Sequence, residues 1–139
     1  MRDDDFKRIV EQAFVPFLTR LGFRLEPFVI KGRFDRAIFL REDCAVDIYY
    51  EPGDEAVLVY VLLRENGVLS EIDDPSKSLR LSELKERYMA KVTTQEREEA
   101  RLSVQWIDVS DETQQLMVRS AEELSLVLPK YLSARAYPS

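Results

Sequence analysis

The stretch CAVDIYYEPGDEAVLVYVLL, Cys44–Leu63, decides the fold, because two apolar runs flank a Pro-Gly turn. Pro52 presets one backbone angle of the turn, and Gly53 accepts conformations that other residues resist. The sequence therefore predicts an antiparallel hairpin with strands at 44–50 and 55–63. Side chains alternate between the two faces of a strand, yet here both faces are apolar. A solvated face would carry Lys, Glu or Thr, so both faces are predicted to be covered.

The segments before this hairpin predict one helix and two further strands. Apolar residues at helical spacing predict a helix over 5–21, with a kink at Pro16 because proline cannot donate a backbone hydrogen bond. Gly22 is typical of the position after a last helical turn. Turn residues then divide the next stretch into strands at 24–30 and 34–40.

The second half of the chain is predicted to be mostly helical. After a polar connection over 64–81, a helix begins near Ser82. Thr93 and Glu96 have the spacing of a capping box, which starts another helix. The stretch 102–109 fits a helix or a strand, and its Glu-rich entry favours the helix.

A final helical region begins near Ser110, as one helix or two, and Pro129 predicts a kink or a break in it. We thus predict a single α+β domain over 1–139. It has an N-terminal helix, an antiparallel meander of about four strands, and C-terminal helices that pack on the sheet.

Composition excludes most catalytic chemistry. The chain has no histidine, one cysteine and four isolated glycines. These counts exclude histidine as a general base, and they also exclude an internal disulfide, a structural zinc site and a phosphate-binding loop. We therefore predict no catalytic residue, no cofactor and no metal site. Cys44 is predicted to be a small packed residue.

Net charge and hydropathy limit the classes of partner that the sequence allows. The net charge of −6 argues against nucleic acid as a partner, although a local basic patch runs from Arg20 to Arg41. The longest apolar run, Ala56–Leu63, is too short to span a bilayer, and the opening residues do not resemble a signal peptide. The sequence predicts a cytoplasmic protein that acts away from membranes.

The second face of the meander is the candidate binding surface. A two-residue turn would pair Ile48 with Val57 and Val46 with Val59. One face then forms the core under the first helix, and the opposite face holds Ile38, Leu40, Ala45, Asp47, Tyr49, Leu58, Tyr60 and Leu62. Three covers are consistent with this composition: the C-terminal helices, a protein partner, or a second copy of the chain in a homodimer.

The candidate partner-binding residues combine tyrosines, which give contact area at low entropic cost, with acids that steer a basic partner. Those on the second face and the adjoining connection, together with the single tryptophan, are Asp47, Tyr49, Tyr60, Asp73, Asp74 and Trp106.

The first half of the chain, with FVPFLTRLGFRL and FDRAIFLREDCAVDIYYEPGDEAVLVYV, resembles small acidic bacterial families that are uncharacterised or of the immunity type. The elements that carry the resemblance are Leu21-Gly22-Phe23 and Ile48-Tyr49-Tyr50-Glu51. The resemblance implies a bacterial factor that binds a cognate toxin and has no catalysis of its own.

Length, acidity and the order of elements are also similar to those of type III secretion chaperones. That resemblance implies a dimer that binds an effector segment, with strands at 102–109 and 115–119. The expected function is a non-catalytic protein-binding factor, either an immunity-type inhibitor or an adaptor. The alternatives are a chaperone-like dimer, or a small-ligand-binding or enzymatic domain without an identifiable motif.

Overall fold

A computed structural model describes residues 1–72, 74 and 76–136, and it has the predicted α+β architecture. Within these residues a seven-stranded antiparallel sheet carries an N-terminal helical segment and C-terminal helices. The strands are β1 (Arg24–Leu25), β2 (Val29–Ile30), β3 (Asp35–Leu40), β4 (Cys44–Glu51), β5 (Ala56–Glu65), β6 (Val68–Leu69) and β7 (Ser78–Arg80). The helices are α1 (Asp3–Ile9), α2 (Val15–Arg20), α3 (Leu81–Tyr88), α4 (Thr94–Val104) and α5 (Glu112–Ala136).

The predicted first helix is present, and a wide turn accommodates its proline. Between α1 and α2 the chain forms a π-helical turn over Val10–Phe14, where the N–H of Val15 donates to the carbonyl of Val10. Pro16 has no N–H to give the preceding turn, and widening that turn relieves the clash of its ring with the backbone. The predicted kink at Pro16 therefore takes the form of a π-helical turn.

The predicted meander is confirmed, with its first strand divided in two and with additional short strands beside β5. The predicted strand 24–30 consists of β1 and β2, because Pro27 between them cannot donate to a ladder. The polar connection 64–81 contains β6 and β7, which both pair with β5. Asn66 and Gly67 turn the chain into β6 with φ of 54° and 77°, the positive values that a tight hairpin requires.

The register of the central hairpin differs from the predicted one by two residues. Ile48 lies opposite Val59 instead of Val57, because the connecting loop runs from Pro52 to Glu55 and contains four residues. Glu55 takes a φ of 48°, which closes the longer loop. A shift of two residues leaves every side chain on its predicted face, so both face assignments are correct.

The core lies between the helices and one face of the sheet, called the core face. This face consists of Ala37, Phe39, Val46, Ile48, Tyr50, Val57, Val59 and Val61, and all but the half-buried Val57 are buried. The ring of Phe6 in α1 lies 6.4 Å from that of Tyr50, and Met117, Leu124 and Leu128 of α5 belong to the same apolar cluster. The N- and C-terminal helices therefore share one layer.

The C-terminal helices confirm one local prediction and correct another. The N–H of Glu96 donates to Thr93 Oγ1 at 3.0 Å, and the Glu96 carboxylate accepts from the Thr93 N–H at 2.8 Å, which confirms the capping box. In the stretch 102–109, α4 ends at Val104, so the favoured helix holds only for its start. The predicted kink or break at Pro129 is not a break, because α5 continues through it with buried residues on either side.

No helix among the described residues joins the opposite sheet face to the core. The apolar cluster that links the helices to the sheet contains core-face side chains and none from the second face. A sheet between two helical layers, with the C-terminal helices over the second face, is therefore wrong. The buried apolar residues of the described helices belong to the cluster on the core face.

Candidate functional site

The second face of the sheet is the candidate site, and we call it the open face. It includes Arg36, Ile38, Leu40, Ala45, Asp47, Tyr49, Leu58, Tyr60, Leu62, Ser78 and Arg80. The strand register places them in rows across the sheet, so that Ile38, Asp47 and Tyr60 are neighbours. The open face thus contains three of the residues predicted from the sequence, Asp47, Tyr49 and Tyr60.

The centre of the open face is an ion pair between Arg36 and Asp47. Arg36 Nε lies 3.0 Å from both carboxylate oxygens, and its Nη2 lies 2.6 Å from Oδ2. Asp47 is fully buried, whereas the guanidinium is partly exposed. Hydrogen bonding to Asp47 raises the pKa of Arg36 above its usual value. Arg36 therefore balances the charge of Asp47 within the chain. Asp47 has no exposed charge with which to steer a basic partner, which is the role predicted from the sequence.

Aromatic side chains flank this ion pair. The rings of Phe34 and Tyr49 stack with centroids 5.0 Å apart. Tyr49 lies opposite Leu58, which is 38% exposed. Tyr60, in contrast, is buried beside Asp47. Contact area for a partner therefore comes from Phe34, Tyr49 and Leu58 more than from Tyr60.

One end of the open face is closed by the chain itself. Ser78 lies opposite Leu62, and its hydroxyl donates to the carbonyls of Ile72 and Asp74 at 2.7 and 2.9 Å. The connection before β7 therefore lies against this end, where Leu62 and Ala45 are fully buried. The accessible part of the open face is the opposite end, around Tyr49 and Leu58.

The predicted acidic residues of this connection have local roles where they are described. The Asp74 carboxylate accepts from the N–H of Ser76 at 3.0 Å and from its hydroxyl at 2.7 Å. These bonds lower the pKa of Asp74 and fix a turn. Asp73 lies outside the described residues.

Trp106 lies in the helical layer and does not join the open face. Its side chain is 60% exposed, and its Nε1 donates to the carbonyl of Ser103 at 2.9 Å. Leu102, one turn earlier, is 46% exposed, while the residues that α4 buries are the small Ala100 and Val104. A core position is the usual one for a lone tryptophan, and the structure places this one at the surface instead.

Sequence reasoning gave too little weight to Phe34, Arg36 and Leu58. The sequence analysis places Arg36 only in the basic patch from Arg20 to Arg41. Its two-residue alternation with Ile38 is the signal that places it on the same face as Asp47. In that patch Arg36 and Arg41 pair with Asp47 and Asp43, so much of its charge is balanced.

Reactive groups are scarce in the described part of the chain. Cys44 is fully buried, and burial raises the pKa of its thiol to about 12, so the nucleophilic thiolate is suppressed. Across residues 1–72, 74 and 76–136, no three acidic or cysteine side chains lie together in an arrangement that could hold a metal ion. None of the helices described is both long and apolar enough to cross a bilayer.

Comparison with protein-family models, with curated proteins and with solved structures found no match. The stretches 102–104 and 115–119, which the secretion-chaperone resemblance implies to be strands, are helical.

Proposed function

We propose that this protein is a non-catalytic protein-binding factor and that its open face binds another protein. The observation that carries this proposal is the one-sided placement of the helices, which leaves aromatic and aliphatic side chains on a sheet face with no helical layer over it. Tyrosine, arginine and aliphatic residues with few free charges are typical of interface centres. An immunity-type inhibitor of a toxin, or an adaptor, is the specific form that the sequence resemblance suggests.

The chemistry of the open face defines what the partner presents. Arg36 uses Nε and Nη2 to hold Asp47, and its Nη1 makes no hydrogen bond within the described residues. A partner therefore offers apolar side chains against Tyr49 and Leu58, and a carboxylate or carbonyl oxygen to Nη1. A charge-assisted bond of this kind adds orientation to the apolar contact.

Site-specific photo-crosslinking in the native host tests this proposal. Leu58 is replaced by p-benzoylphenylalanine, and Leu116, which is 40% exposed in the helical layer, is replaced in the matched control. We expect a discrete adduct with a second protein from position 58 and none from position 116. Tyr49→Ser in the same chain should abolish the adduct without changing the circular dichroism spectrum.

Two results would contradict the proposal. An adduct made of two copies of this chain would identify a homodimer interface instead of a partner site. An absence of adducts at both positions, under conditions where the reagent labels bulk protein, would mean that the open face meets only solvent. Tyr60→Ser is unsuitable as the test substitution, because Tyr60 is buried and its loss would also reduce stability.

A further inference from the structure

A groove of about 820 Å³ lies in the helical layer, on the other side of the sheet from the open face. Residues of α2 and α4 line its sides and residues of α5 line its floor. Its apolar lining consists mainly of Phe17, Leu21, Tyr88, Ala100, Leu126 and Pro129.

Departures from regular helix shape this groove. The π-helical turn over Val10–Phe14 touches both α4 and α5, and α2 continues from it along the groove. On the floor, Pro129 has no N–H to donate to the carbonyl of Ser125, four residues earlier in α5. Ser125 and Pro129 both line the groove.

One end of the groove is basic. Arg20 and Lys91 line it, and neither forms an ion pair in the part of the chain that the structure describes. Both residues lie near the C-terminal end of α5. The end of α2 is tied there, because Arg41 donates to the Leu21 carbonyl at 3.2 Å and shares Asp43 with Arg135.

Lys91 lies at the basic end of the groove, on the side opposite to α2. Its Nζ lies 5.7 Å from the ring centre of Tyr88, and that ring lies 6.3 Å from the ring of Tyr131 in α5. Two unpaired cations therefore share one end of a groove in a chain whose net charge is −6.

The opposite end has acidic and hydroxyl groups. Midway, Lys130 Nζ and the Glu96 carboxylate pair at 3.2 Å, so their charges cancel. Glu96 lies beside Lys130 and Arg101 lies beside Glu122, so α4 runs antiparallel to α5, and Glu99 and Ser103 lie beyond the first pair, towards Ser125. The groove is therefore electrically polar along its length, from a basic end to an acidic one.

We propose that this groove binds an amphipathic helix of a partner protein, with the helix C-terminal end at Arg20 and Lys91. The floor runs from Ser125 to Ser133, about 12 Å of helix, which matches roughly two turns of a bound helix. A helix carries partial negative charge at its C-terminal end and positive charge at its N-terminal end, which complements both ends of the groove. An alkyl carboxylate would match only the basic end, because its methyl end would lie against Glu99 and Ser103.

Two designed peptides of identical composition test the orientation. Both have 14 residues, blocked ends, leucines at the helical spacing i, i+3, i+7 and i+10, and a fluorophore. One has lysines in its first turn and glutamates in its last, and the other has these turns exchanged. The second peptide is the better helix in isolation, because its charges suit its own dipole. A preference of the protein for the first peptide therefore cannot come from intrinsic helicity.

Fluorescence anisotropy against the full chain should show saturable binding of the first peptide, roughly fivefold to tenfold tighter than that of the second, as two exposed ion pairs allow. Arg20→Glu together with Lys91→Glu should reverse the preference. Both residues are exposed, so the fold is expected to persist, and circular dichroism verifies this. Tyr49→Ser on the open face serves as the matched control and should leave both affinities unchanged, so failure here is distinguishable from failure of the open-face proposal.

Equal binding of both peptides, or no effect of the double charge reversal, would overturn the proposal. So would binding of dodecanoate in the absence of peptide binding, because the occupant would then be a small amphiphile. Self-association that the charge reversal abolishes would identify a second copy of this chain as the occupant and would also overturn it.

Discussion

The replacement Asp35→Asn should remove a pH dependence of folding that originates at the edge of the core face. Asp35 is 1% exposed, and neither carboxylate oxygen accepts a hydrogen bond from the residues that the structure describes. Burial and the neighbouring Asp3 raise its pKa from 3.8 to about 6, against the opposing charge of Lys7. Tyr50 of β4 lies opposite Asp35 across the sheet, but its hydroxyl does not donate to the Asp35 carboxylate. The protonated carboxyl can donate to the Asp3 carboxylate, whereas the ionised form cannot.

The sign and the size of the effect follow from this raised pKa. A group whose pKa is higher in the folded state contributes stability that is complete below its unfolded pKa and is lost as the pH rises through the folded value. Two pKa units correspond to about 3 kcal/mol in total, because one unit is 1.36 kcal/mol. The free energy of unfolding should change by about 1.4 kcal/mol of this total between pH 8 and pH 5, because pH 5 lies just below the folded pKa.

Urea unfolding at pH 5 and pH 8 measures the difference. From pH 8 to pH 5, the free energy of unfolding of the wild type should rise by about 1.4 kcal/mol more than that of Asp35→Asn. The variant should be the more stable protein at pH 8. Asp4→Asn, at an exposed position of α1, is the control and should follow the wild type. Parallel profiles for the wild type and Asp35→Asn would refute the reasoning, because Asp35 would then be solvated.

Three further predictions concern individual contacts. Thr93→Ala removes the cap of α4 and should lower the free energy of unfolding by about 1 kcal/mol in urea titrations, with the same m-value. Asp47→Ala should lower the free energy of unfolding by about 3 kcal/mol, because Arg36 keeps its charge and loses its partner, whereas replacing both residues by leucine should lower it much less; equal losses would mean that an unpaired Arg36 carries no penalty. Cys44 should react with a disulfide reagent only at the rate of unfolding at pH 8, and fast reaction of the native protein would show that the thiol is accessible.

The central meander was predictable because its signals are local. Two-residue alternation assigns side chains to faces, and a register error of two residues does not change that assignment. The short strands β6 and β7 were missed because they are held by pairing with β5, and not by an apolar pattern of their own. The sequence left open whether Pro129 kinks or breaks the last helix, and α5 continues through it because packing of Leu128 and Leu132 on the core outweighs one lost backbone bond.

The candidate site was predictable only in part, for a related reason. Sequence alternation identified Asp47, Tyr49 and Tyr60 as neighbours, but it does not show how far each side chain is buried. Their burial depends on the ion pair with Arg36 and on the connection before β7, and both are tertiary contacts. The groove had no sequence signal at all, since its lining comes from α2, α4 and α5, which are far apart in the chain.

The apolar composition of the second face now has a physical explanation that separates its two ends. Near Ser78 the face is closed by the chain, so Leu62 and Ala45 are structural residues. Around Leu58 and Tyr49 no helical layer is available, because every helix described packs its apolar stripe on the core face. Leu102 of α4 and Trp106, two residues beyond the end of that helix, are exposed, so neither is buried against the sheet. Among the described residues no helix packs on the Leu58 end, and the proposed binding of another protein rests on this observation.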